Sequence, residues 1–248
     1  MSLSRQDPRR PYSSAMLPAV RVAASHAWGW GWLLAWPLAA CASIGAGRMP
    51  PADPDLVATN EALGDPYGGR FPLSEALSGL PPDGELVAIL ETDFGEITCE
   101  LDPSHAPLNV ANFVGLARGL RPFRGEDGQW KREPYYVDMP WHRAEAGQFV
   151  QTGRRGRLAD GGFFLQDETG IGDSFDRLGV LAMANTGQPD SGSVQFFITT
   201  GPTKHLAGHH TILGRCEQPA VAHRLEKKAG ESADAPRLHK IDIQRRIR

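Results

Sequence analysis

From Glu85 to Arg246 the chain is a succession of short strand-like runs separated by turns, with only two stretches that carry a helical period. That pattern constrains the fold more than any other feature of the sequence. The stretch "ELVAILETDFGEITCELD" (85 to 102) is two alternating runs broken by Asp93-Phe94-Gly95, a β-hairpin with a glycine in its turn. Further strands are expected near 139 to 143, 148 to 152, 163 to 166, 179 to 184, 194 to 200 and 210 to 216, and "LHKIDIQRR" (238 to 246) closes the series. "APLNVANFVGLARG" (106 to 119) has the apolar spacing of an amphipathic helix, with Pro107 in its first turn and Gly119 at its end. "QPAVAHRLEKKA" (218 to 229) reads as a second helix opened by Pro219. This composition of elements predicts a mainly β domain over 85 to 248, a closed or nearly closed antiparallel barrel with two α-helices. Residues 120 to 138 have no period and read as a surface excursion.

The N-terminus reads differently. Residues 1 to 22 carry only basic charges apart from Asp7, and 27 to 40, "AWGWGWLLAWPLAA", carry none. A basic region, a short apolar region and small residues make a secretory signal peptide. The apolar run is too short for a membrane-spanning helix. It stops at Leu38-Ala39-Ala40-Cys41, similar to the bacterial lipobox, in which the cysteine is acylated and becomes the first mature residue. Residues 1 to 40 are therefore expected to be a signal peptide and 41 to 84 a flexible tether rich in Pro, Gly and Ala with little regular structure. The mature chain is expected outside the cytoplasm, held on a membrane through Cys41 and facing the periplasm or cell exterior. Ala42 after the cysteine favours the outer membrane if the cell is Gram-negative. Without its first 40 residues the chain's formal charge falls from −3 to −6, which argues against nucleic acid as a partner. Cys99 and Cys216 both lie in strand-like runs; buried hydrophobes and a disulfide are both open readings.

Two stretches carry the chemistry: "WHRAEAGQFVQTG" (141 to 153) and "GVLAMANTGQPDSGSVQFFITTG" (179 to 201), followed by "HLAGHHTILGRC" (205 to 216). A strand that only packs would hold Val or Ile where Arg143 and Gln151 stand. As an ordered set, His-Arg, Gln after eight residues, Met-Ala-Asn, Gln-Phe-Phe and Leu-x-Gly-x-His resemble the cyclophilin family of peptidyl-prolyl isomerases. The resemblance spans about 85 to 246, nearly all of the expected folded part. It implies an eight-stranded barrel capped by two helices, prolyl isomerisation without a covalent intermediate, no cofactor and no metal. It also implies a partner class, proline-containing segments of exported proteins, and a monomer. Arg143 falls where the family's catalytic arginine stands. The substrate-binding positions are Phe149, Gln151, Ala184, Asn185, Gln195, Phe197, Leu206 and His210. Phe196, which alternates with Phe197, belongs to the core.

The chain departs from the family in places. Ala144, Glu145 and Ala146 replace two apolar residues and a proline. Gln148 stands where the proline pocket has a phenylalanine, Thr152 and Arg154 replace a glycine and an aspartate, and His205 stands where some members carry a tryptophan that contacts cyclosporin. An alternative reading is a proline-peptide binding module of the same fold with little turnover. A third, a metal site at His205, His209 and His210, lacks an acidic ligand or a recognised spacing.

Overall fold

The computed structural model describes residues 47–170, 173–230 and 232–247; the expected signal peptide and Cys41 lie outside them. Four α-helices occur among these residues: α1 (Pro54–Ala62), α2 (Leu73–Ala76), α3 (Pro107–Ala117) and α4 (Pro219–Glu226). The strands are β1 (Glu85–Thr92), β2 (Gly95–Leu101), β3 (Phe123–Arg124), β4 (Trp130–Lys131), β5 (Met139–Pro140), β6 (Arg143–Glu145), β7 (Phe149–Thr152), β8 (Val180–Met183), β9 (Phe196–Thr199), β10 (Ile212–Cys216) and β11 (Arg237–Arg246). β3 and β4 form a small hairpin, and the rest make one antiparallel sheet in the order β5-β11-β1-β2-β10-β8-β9-β7-β6.

The expected closed barrel of eight strands is therefore corrected to an open, curled sheet of nine. The cause lies at Trp141-His142, inside what the sequence suggests is one strand. Trp141 buries its ring in the core, and its N–H goes to the Pro236 carbonyl. The ladder breaks there. Met139–Pro140 pairs with β11 at one edge of the sheet, while Arg143–Glu145 pairs with β7 at the other. A second correction concerns 163 to 166, where no strand forms. The Phe164 N–H and C=O both go to the side-chain amide of Asn60, at 2.7 and 2.9 Å, leaving only an isolated bridge at Leu165.

The expected tether is the third correction, for Asn60 belongs to it. α1 starts at Pro54, with the Asp53 carboxylate accepting the N–H groups of Asp55 and Leu56. Past the helix, Asp65 turns inward and receives both terminal nitrogens of Arg121, at 2.6 and 2.8 Å. Both side chains are 0% exposed. The Arg121 guanidinium also stacks over Phe163, 3.9 Å from its centroid. Phe71, fully buried, then packs on α3 at Gly115. A Cβ at residue 115 would lie 2.4 Å from the Phe71 ring, so glycine is what lets the extension approach the helix. α3 was expected to bury one face; with the extension on its other side, every residue of it is buried. The excursion 120 to 138 is likewise no mere surface loop, since Arg121, Phe123, Tyr135 and Tyr136 from it are buried.

Cys99 and Cys216 are partners across β2 and β10 and form a disulfide. Of the two open readings, the bonded one holds, and it ties together strands 117 residues apart in sequence.

Candidate active site

Strand register alone brings the key side chains together. Across β6 and β7, Arg143 is opposite Gln151 and Glu145 is opposite Phe149. Across β7 and β9, Gln151 is opposite Phe197; across β9 and β8, Phe197 is opposite Ala182. Residues directly opposite one another share a sheet face, so Arg143, Gln151, Phe197 and Ala182 form one row. Alternation sends Val150, Phe196 and Ile198 to the other face, into the main core. On the row's own face lies a separate apolar cluster that includes Phe149, Phe175, Ala184, Phe197 and Ile212, with Leu206 against it. The cluster floors a cleft of about 400 Å³ lined by Arg143, Glu145, Gln148, Phe149, Gln151, Ala184, Asn185, Phe197, Leu206 and His210, among others. A larger cleft of about 520 Å³ beside His105 and Asp173 contains none of these residues.

A chain of hydrogen bonds aims the arginine. Its Nη1 donates to Gln151 Oε1 (3.2 Å), Gln151 Nε2 to Gln195 Oε1 (2.9 Å), and Gln195 Nε2 to the Ala159 carbonyl (2.6 Å). Nη2 donates to Glu145 Oε1 at 2.8 Å. The guanidinium carbon stands 5.0 Å from the Phe149 centroid, so a fixed cation overhangs an apolar floor. Phe149 and Phe197 are 5.2 Å apart, and Phe175 stacks beneath Phe197 at 6.2 Å. Phe175 escapes sequence reading because it sits in an irregular segment with no period. Asn185 is spent on the loop itself: its Nδ2 donates to the His209 carbonyl, and its Oδ1 accepts from the Gly187 N–H. Ala184 pairs its N–H with the Gln195 carbonyl and forms wall. Every residue expected at the site lines this cleft except Gln195, which stands behind Gln151 as the anchor of the arginine.

His210 closes one end, edge-on to Phe197 at 5.1 Å. Its Nδ1 lies 3.0 Å from the Met183 carbonyl; a carbonyl only accepts, so Nδ1 carries the proton and, in the neutral ring, Nε2 is the acceptor. Burial holds its pKa below the ordinary histidine value, with the Met183 carbonyl opposing, and the neighbouring His209, His205 and Arg143 charges push it further down. A depressed histidine is neutral in the folded state at neutral pH. Its contribution to stability is complete above about pH 6.5, the unfolded value, and is lost as pH falls from there toward the folded value. Turnover is expected to decline on acidification below that point as a charge enters the apolar seat. A His210→Phe variant should lose that limb of the pH profile; an unchanged acid limb would assign it to another group.

Gln148 is half-buried and lines the cleft beside Phe149, where the sequence suggested a missing aromatic wall. Gln148→Phe is expected to tighten binding of a proline peptide, by at most about 1.5–3 kcal/mol for a fully buried ring. Titration of a non-reacting proline peptide checks it; weaker binding would mean that Phe149 already fills the wall. Among the described residues, no three potential ligands are grouped to hold a metal.

The family model for "Cyclophilin type peptidyl-prolyl cis-trans isomerase/CLD" matches residues 87–245. This chain belongs to the cyclophilin family. Among curated cyclophilins, peptidyl-prolyl cis-trans isomerase A of Mycobacterium tuberculosis is 37% identical over 161 residues, covering 62% of this chain and 88% of that protein. Isomerase B of Streptomyces anulatus is 39% identical over 135 residues, 52% of this chain and 75% of its own. The human isomerase-like 1 protein is 36% identical over 169 residues, 64% and 92%. Among solved cyclophilin structures, one from Cryptosporidium parvum, crystallised with the dipeptide Ala-Pro, superposes with a TM-score of 0.53 at 24% identity over 64% of this chain and 99% of that one. That likeness speaks to the fold. In each curated cyclophilin comparison the uncovered part of this chain is a third or more, room enough for both the N-terminal run and the packed extension.

Proposed function

We propose that this cyclophilin isomerises X-Pro bonds in exported proteins, with Arg143 assisting the twist of the amide and no covalent intermediate. The observation that carries the reading is the fixed guanidinium over an apolar seat of Phe149, Phe197, Leu206 and His210. Amide resonance sets a barrier of about 18–20 kcal/mol. Resonance is lost when the bond twists, and the prolyl nitrogen regains a localised lone pair. A cation placed against that nitrogen and the prolyl carbonyl oxygen favours the twisted form over the planar one. The aromatic seat holds the ring still while the other side of the bond rotates. No proton needs to move, and a neutral His210 suits such a site.

Export and anchoring are supported by the uncharged run ending at Cys41 and by the Cys99–Cys216 disulfide, since such bonds persist in oxidising compartments. In this reading Cys41 is acylated and the mature chain works as a monomer on a membrane surface, through two or more acyl chains. Mass spectrometry of the mature protein is expected to show acyl chains on Cys41, and Cys41→Ser to release the protein or leave it unprocessed. An unmodified Cys41 would overturn the anchor. A second reading, a proline-binding module with little turnover, draws on Gln148 in the seat and on Glu145 holding Arg143. Isomerisation of a Pro-containing peptide by the mature chain separates the two: a rate above the uncatalysed one supports the enzyme, and binding without rate supports the module.

A further inference from the structure

Glu145 follows Arg143 by two residues on β6, so both side chains project from the same face. Among the described residues its carboxylate is the only one lining the proline cleft, and its side chain is 46% exposed. Arg143 thus has two acceptors, Gln151 on Nη1 and Glu145 on Nη2. A guanidinium has five N–H donors, so Arg143 can donate to a prolyl group with both acceptors still bound. Gln151 is buried and tied through Gln195 to the Ala159 carbonyl, whereas Glu145 sits at the open edge. Glu145 is the more accessible acceptor: Arg143 holds its Oε1, and among the described residues no side-chain hydrogen bond reaches its Oε2. A half-exposed carboxylate oxygen therefore stays open at the rim of the cleft that contains the apolar seat.

We propose that Glu145 determines specificity by charge: it favours peptides with a lysine or arginine next to the proline and disfavours those with aspartate or glutamate there. The proposal rests on the isomerase reading of the cleft. A cationic side chain pairs with the open oxygen of the carboxylate while Arg143 holds the other. An anionic one meets like charge at short range.

The experiment compares kcat/KM for proline peptides that differ only in a Lys, Ala or Glu beside the proline, placed on each side in turn. On one side, wild type is expected to prefer Lys over Glu by about two- to fivefold, the scale of a solvent-exposed ion pair. Glu145→Gln should bring the ratio to about one and Glu145→Lys should invert it; raising the salt to about 1 M should compress the wild-type ratio, because exposed charges are screened. Equal wild-type rates on Lys and Glu peptides, or a preference that survives in Glu145→Gln, would overturn the proposal while leaving the isomerase reading intact. No turnover by wild type even on the Ala peptide would overturn the isomerase reading, and the charge selection with it.

Discussion

An Arg143→Ala variant is expected to fold normally and to isomerise a Pro-containing peptide about 100-fold more slowly than wild type, or slower still. The size follows from losing one pre-aimed donor at a site of charge development, about 2.7–4 kcal/mol in barrier height. Folding should survive because the side chain is 52% exposed and its partners, Gln151 and Glu145, keep other contacts or solvent. Arg143→Lys should fall between the two, since the charge remains but the rigid fork that meets Gln151 and Glu145 together is lost. Chelators should change nothing if the reaction runs as proposed, since none of its steps uses a metal. Peptide isomerisation with circular dichroism as the folding control measures this. A folded Arg143→Ala variant as fast as wild type would show that the seat, and not the cation, carries the rate.

The site residues were named in the sequence through the resemblance of their ordered motifs to the cyclophilin family, and the structure shows why Arg143 and Gln151 keep their spacing, since a β-hairpin is a local object. Eight residues from Arg143 to Gln151, with Gly147 between, fix a turn and so a register, and register decides which side chains share a face. The same alternation separated Phe196 from Phe197, one for the core and one for the cleft. The relay through Gln195 was not legible in this sense: its members were foreseen as substrate contacts, while their bonds to one another depend on side-chain torsions that spacing does not encode. The barrel was misjudged for a different reason. A break at Trp141-His142 leaves the alternation of apolar residues almost untouched, and only the backbone of Pro236 shows where the ladder goes. The tether misled most, because two of its buried side chains, Asn60 and Asp65, are polar. Asn60 and Asp65 satisfy an amide backbone and a guanidinium in the interior, so a search for apolar period passes over them. A signal was nonetheless present: Asp53 followed by Pro54, an acid in the first turn and Gly64 after the last mark a helix start and stop.

That buried polar contact makes the second large prediction. Asp65→Ala is expected to destabilise the protein by about 3–5 kcal/mol, because it leaves the Arg121 guanidinium buried without its counter-charge. For a chain of this size the melting midpoint should drop by about 6–20 °C. Arg121 cannot shed its proton to escape, and its remaining contacts, to Asn112 Oδ1 at 3.3 Å, the Pro122 carbonyl at 3.2 Å and the rings of Phe163, Tyr67 and Phe71, do not replace a bidentate carboxylate. The double variant Asp65→Ala/Arg121→Met should recover much of the loss, since an apolar side chain in the same space carries no desolvation cost. If the single variant melts with wild type, the pair is not closed in solution and the extension is not part of the fold. If the double variant is no better than the single one, the guanidinium matters for packing and not for charge. The effect should also reach the cleft. The extension holds the backbone of Phe164 through Asn60, and Phe164 lines a pocket shared with Gln151, Ala159 and Gln195, the residues that aim Arg143. Loosening residues 47–80 should therefore slow isomerisation before it unfolds the sheet, and a chain beginning at residue 85 should be both unstable and slow, although it keeps Arg143, Gln151, Phe197 and Ala182.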